Sequence, residues 1–123
     1  MGKAMSESER IIMEILWEYG PLSAAQVTSL AREKQNWSYN TVRTFLTRLK
    51  EKKAVTVEQR DKYYYAPSMT REEAGLQEAR HVVKRLYDGS VKQLIACFLD
   101  QEELSEEDLD ELSLLLEKKR REV

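Results

Sequence analysis

A sequence of 123 residues with one cysteine, one histidine, two prolines and four glycines is poor in the usual furniture of catalysis. With Cys97 alone no internal disulfide forms, as expected of a protein kept in a reducing cytoplasm. His81 and Cys97 fall on different predicted helices, so they supply neither a set of metal ligands nor a nucleophile–base pair. The few glycines form no phosphate-cradling loop. Catalytic residues, a metal and a cofactor are therefore all expected to be absent. No apolar run approaches the roughly 18 residues that span a bilayer. The opening Met1-Gly2-Lys3-Ala4-Met5 runs straight into Ser6-Glu7-Ser8-Glu9 without an apolar signal-peptide core. The expectation is a cytoplasmic protein with no direct membrane association.

What is present is a globular composition, 41% hydrophobic and 34% charged. The length fits one compact domain, or a small domain with an association segment. A net charge of −2 conceals an asymmetry. Residues 1–67 hold 11 basic and 8 acidic side chains, and residues 68–123 hold 9 and 14. Within 34–62 the balance is 8 basic against 3 acidic. Positive charge gathered in one segment of an acidic chain suits either a polyanion partner or a solvated face.

Helical spacing and caps define the first half. Ser6 and Glu9 have capping-box spacing and open a helix burying Ile12, Ile15, Leu16 and Tyr19, which Gly20-Pro21 stops. Ser23 and Gln26 open a second helix, stapled by Leu22 and Val27 and continued by Leu30 and Ala31. Ser38 caps a third, with Trp37 and Val42 at staple positions. One face of it carries Val42, Phe45, Leu46 and Leu49; the other carries Asn40, Arg43, Thr44 and Thr47. After Lys53 the period falls to two: Val55 to Arg60 and Tyr63 to Tyr65 form a hairpin around Asp61-Lys62, closed by Pro67. Three helices and a basic hairpin make a winged helix.

Residues beyond Met69 show only helical patterning. Thr70 and Glu73 open a helix with apolar positions Ala79, Val82, Val83, Leu86 and Tyr87, ended by Asp88-Gly89. Val91, Leu94, Ile95, Phe98 and Leu99 mark a fifth helix. Ser105 caps a sixth carrying Leu109, Leu112 and Leu116. So little chain cannot close a core around three apolar stripes. Burial against a symmetry mate is expected, folding back on the first domain being the alternative. The fold class expected is mainly α: a winged helix-turn-helix over residues 1–68, then a helical dimerisation segment over 69–123. Its dimerisation residues are Val83, Leu86, Tyr87, Val91, Leu94, Ile95, Phe98, Leu99, Leu109, Leu112 and Leu116.

The third helix has the dimensions and side chains of a major-groove reader. Asn40 suits adenine and Arg43 guanine, while Thr41 and Thr44 offer hydroxyls to phosphate or a methyl to thymine, and Thr47 shares the polar face. Ser38 and Tyr39 stand at the helix start, where outward N–H groups suit a phosphate. Arg48, Lys50, Lys52 and Lys53 lie toward its far end, and Arg60 and Lys62 at the wing tip, where a DNA backbone would pass. The alternative is a winged helix that binds another protein, against which the polar face argues.

The run Trp37 to Leu49 resembles the recognition helix of the penicillinase-repressor family, the BlaI, MecI and CopY type. Glu14-Ile15-Leu16-Trp17, Tyr65-Ala66-Pro67 and Leu86-Tyr87-Asp88-Gly89-Ser90 extend the resemblance over nearly the whole chain. It implies a homodimeric repressor on a palindromic operator, held together by its C-terminal helices. In the penicillinase branch it further implies cleavage of an Asn-Phe bond by a protease linked to a membrane sensor. The matching bond here is Cys97-Phe98, so the asparagine is missing. The C-terminus lacks the cysteine pairs of the copper branch, and Lys53 stands where the family has a helix-ending glycine.

Overall fold

The computed structural model describes residues 4–122; Val123 and Met1-Gly2-Lys3, the first part of the opening read for a signal peptide, lie outside the described residues. In chain order the elements are α1 (Glu7–Tyr19), β1 (Leu22–Ser23), α2 (Ala24–Ala31), α3 (Tyr39–Glu51), β2 (Val55–Gln59), β3 (Tyr63–Pro67), α4 (Arg71–Leu86), α5 (Val91–Gln101) and α6 (Glu106–Arg121). They divide into two compact units, Met1–His81 and Val82–Val123.

Reciprocal caps start the helices where the sequence places them. In α1 the Ser6 hydroxyl accepts from Glu9 N at 3.1 Å while the Glu9 carboxylate accepts from Ser6 N at 2.9 Å. Ser23 with Gln26 does the same for α2, Thr70 with Glu73 for α4, and Ser105 with Asp108 for α6. Each pair satisfies two N–H groups that a helix start leaves unpaired. Gly20 ends α1 at φ +79°, a left-handed conformation that glycine adopts without steric cost.

In the first unit α1, α2 and α3 close on a core of Ile12, Met13, Leu16, Val27, Val42, Leu46 and Leu49, sealed by Leu22, Ala54 and Val55. Tyr19, expected on the buried face of α1, is 54% exposed; Met13 takes the interior position instead. Trp37 meets Phe45 edge-on at 5.1 Å between ring centroids, where a staple to Val42 was expected. The hairpin is part of a three-stranded antiparallel sheet ordered β1-β3-β2, with Tyr65 opposite both Leu22 and Val57. The two-residue β1 has no period to read, so its pairing is set by the neighbouring strand.

The boundary between units falls after His81, not after residue 68. The first turns of α4 are held to the winged helix by side chains far apart in sequence. The Trp17 indole donates to Met69 O at 2.9 Å, and Arg71 lies over the Trp17 ring while pairing with Glu14 at 2.7 Å. Ala74 is buried, whereas Ala79 is exposed.

The second unit is a set of amphipathic helices with little interior. Val83 is buried; Tyr87 and Leu94 are half-buried, and neither α5 nor α6 holds a fully buried residue. Leu86, Val91, Ile95, Phe98, Leu99, Leu109, Leu112 and Leu116 are exposed in the single chain. Leu114 and Leu115 are exposed too, so the apolar side of α6 is broader than the stripe expected. Cys97 is exposed.

Candidate nucleic-acid interface

Helix α3 carries the site. Its inner face, Val42, Leu46 and Leu49, is fully buried, which fixes the direction of the opposite face. Asn40, Arg43, Thr44, Thr47 and Arg48 line a shallow groove on that outer face together with Glu51. Glu51 was not singled out in the sequence, although it lies one turn beyond Thr47; its carboxylate suits a cytosine amino group.

The start of α3 differs from those of α1, α4 and α6. No acidic side chain sits in its first turn, whereas α1 holds Glu7 and Glu9 there, α4 Glu72 and Glu73, and α6 three acids. The positive end of the helix dipole is thus left for an anion from outside. The Ser38 hydroxyl accepts from Thr41 N at 3.1 Å and meets the Thr41 hydroxyl at 2.9 Å, so this cap is already partnered. The Thr44 and Thr47 hydroxyls donate to Asn40 O and Arg43 O, four residues back, at 3.0 and 2.9 Å. Asn40 and Arg43 keep their polar heads for a partner, with the Arg43 guanidinium 6.0 Å from the Tyr39 ring centroid.

The wing places two cations in different states. Arg60 donates twice to Glu58, at 3.0 Å each, and lies over the Tyr64 ring. That hydrogen bonding holds the Glu58 carboxyl below the usual carboxylate value. Lys62 has no ion-pair partner among the described residues. It shares a second groove with Ser23, Ala24, Tyr39, Arg43, Tyr63 and the acidic Asp61, lined by the starts of α2 and α3 and by the hairpin. The contribution of α2 to this groove was not anticipated; the capping box at Ser23 was its only trace in the sequence. At the far end of α3, Lys50 and Lys53 are exposed. Lys52, expected beside them, turns inward to the Glu9 carboxylate and Ala4 O.

Among the described residues no group of three or more histidine, cysteine, aspartate or glutamate side chains is placed to hold a metal ion, and no helix is long and apolar enough to cross a membrane. The candidate site's chemistry is the hydrogen-bonding heads of Asn40 and Glu51 and the positive charge of Arg43 and Arg48 on an exposed helix face.

Comparison with known proteins gives the same picture. The chain is 27% identical to the methicillin resistance regulatory protein MecI of Staphylococcus aureus over 94% of each chain. Its fold matches the solution structure of the DNA-binding domain of the repressor BlaI, with a TM-score of 0.52 at 24% identity, covering 59% of this chain and 93% of that one. The monomeric form of Bacillus licheniformis BlaI, solved in complex with the blaP half-operator, matches with a TM-score of 0.50 at 24% identity and the same coverage. The family profile described as penicillinase repressor matches residues 5–118. With a winged helix, its exposed α3 face and a match spanning nearly its whole length, the chain belongs to the penicillinase repressor family.

Proposed function

We propose that this chain represses transcription by binding a palindromic operator as a homodimer, α3 lying in the major groove and the β2–β3 wing on the adjacent backbone. Repression of transcription by a DNA-binding winged helix is the activity of the family. The observation that carries the detailed reading is the outer face of α3, where Asn40, Arg43, Thr44, Thr47 and Arg48 stand together beyond a helix start free of acids. Asn40 fits an adenine edge and Arg43 a guanine edge. Ser38, Tyr39 and Thr41 stand where a phosphate approaches the helix start, and Lys62 and Arg48 reach the flanking backbone. Arg60 can contribute there through its free terminal nitrogen, its charge partly offset by Glu58. The second unit serves as the dimerisation domain, and the protein works in the cytoplasm without catalysis. A protein-binding role for α3 is the weaker reading, because interface cores favour apolar and aromatic side chains.

For release from DNA, the family resemblance points to a membrane-linked sensor protease acting at Cys97-Phe98. That bond lies inside α5, whose backbone is hydrogen-bonded in the helix, so cleavage there requires α5 to unwind first.

Enrichment of bound duplexes from a random pool tests the proposal. The expected product is a two-fold symmetric sequence whose affinity falls steeply with salt, as counterions return at each phosphate contact. Arg43→Ala should relax the preference at one base pair, by about 1–3 kcal/mol, and Lys62→Ala should weaken all duplexes alike. Equal affinity for enriched and random duplexes at physiological salt overturns the proposal.

A further inference from the structure

We propose that Thr44 and Thr47 read thymine through its C5-methyl group, so that apolar contact and not hydrogen bonding specifies the operator at those positions. This rests on the reading of α3 as a groove-bound helix and adds which groups of the base edges two of its residues address.

A threonine hydroxyl has one hydrogen to give. At Thr44 it goes to Asn40 O at 3.0 Å, and at Thr47 to Arg43 O at 2.9 Å. Both carbonyls belong to α3 itself, so the bonds exist before any partner arrives. Neither side chain can then donate to guanine, to thymine O4 or to a phosphate without giving up a bond already made. At Thr41 the hydroxyl meets that of Ser38 at 2.9 Å and either can donate, so one of the two keeps a hydrogen to give.

Thr44 and Thr47 are both exposed and line one groove with Asn40, Arg43 and Arg48; with each hydroxyl turned to the helix backbone, the methyl is the other group each side chain can present. The apolar feature of the major groove is the thymine C5-methyl. A methyl set against it removes apolar surface from water on both sides; against a cytosine or adenine edge it does not. The two threonine oxygens also keep lone pairs, so the competing arrangement is acceptance from an adenine or cytosine amino group.

Fluorescence-anisotropy titration of the full-length protein against its enriched duplex separates the two. Thymines are replaced one at a time by deoxyuridine, which removes only the C5-methyl. At one or two positions in each half-site the affinity should fall, by about fourfold per methyl group removed. Thr44→Ser, which keeps the hydroxyl and loses the methyl, should weaken the thymine duplex by a similar factor and add nothing on the matching deoxyuridine duplex. Thr44→Val, which keeps the methyl and loses the hydroxyl, should retain the ratio of thymine to deoxyuridine affinity. Indifference to deoxyuridine at every position overturns the inference, as does loss of that ratio in Thr44→Val. A wild-type protein with no preference for the enriched duplex overturns the DNA reading itself and this inference with it.

Discussion

Glu9 is a carboxylate with 1% of its surface exposed, hydrogen-bonded by Lys52 from the end of α3 and by Ser6 at the start of α1. Burial pushes its carboxyl up, but the bonds from Lys52 and Ser6 and the Lys52 charge outweigh it and hold the carboxyl below its ordinary value of 4.5. A carboxylate depressed in the folded state contributes stability that is complete above the unfolded value and is lost as pH falls through the folded one. The wild type should therefore weaken on acidification below about pH 4.5. Glu9→Gln keeps the capping partner and removes the charge that faces Lys52. It should cost about 1–2 kcal/mol at pH 7, measured by urea unfolding. The gap from wild type should narrow as the pH is lowered through this range; a gap independent of pH would show that the pair carries no net charge stabilisation.

At the scale of elements, the end of α3 shows what one residue does to a helix terminus. Lys53 stands at φ +63°, with its N–H on Lys50 O at 3.0 Å and Ala54 N–H on Leu49 O at 2.9 Å. These are the two bonds of a Schellman motif, and the residues at its two ends, Leu49 and Ala54, are both buried in the same core. A residue with a Cβ is strained in this conformation. Lys53→Gly should relieve that strain, offset in part by glycine's greater unfolded-chain entropy, for a gain of about 0.5–1 kcal/mol by urea unfolding. A loss of stability would mean that the Lys53 side chain contributes more than its strain costs. This motif was legible only through the family resemblance, in which Lys53 stands where a helix-ending glycine is usual. The caps at Ser6, Ser23, Ser38, Thr70 and Ser105 were legible for a local reason: two residues three apart decide them. The inward turn of Lys52, the pairing of Arg60 with Glu58 and the seat of Arg71 on Trp17 were not. Each is chosen by which opposite charge or ring the folded chain brings within reach, and for Lys52 and Arg71 that partner lies more than forty positions away. The α3 face could be read from periodicity, but the state of its hydroxyls could not, since a threonine's rotamer is not written in its spacing.

At the scale of the whole molecule the second unit poses a packing problem that one chain does not solve. Phe98, Leu99, Ile95 and Val91 on α5 and five leucines on α6 are each more than a third exposed. Water-facing apolar surface of this extent marks an association face. A second copy of the chain is the simplest cover, because each protomer then supplies the same stripes that the other must bury. In the dimer proposed above, two joined winged helices would bind the second half-site at an effective concentration fixed by the tether. Phe98→Asp places an unpaired carboxylate in that face and should weaken self-association at least about 100-fold. Sedimentation at micromolar concentration should give a dimer for the wild type and a monomer for Phe98→Asp, with helix content unchanged by circular dichroism. Because α3 lies outside the second unit, the variant should keep its preference among half-site duplexes and lose the added affinity for the full operator. A monomeric wild type would mean that α5 and α6 are covered by some other partner; a Phe98→Asp dimer would place the association face on α6 alone.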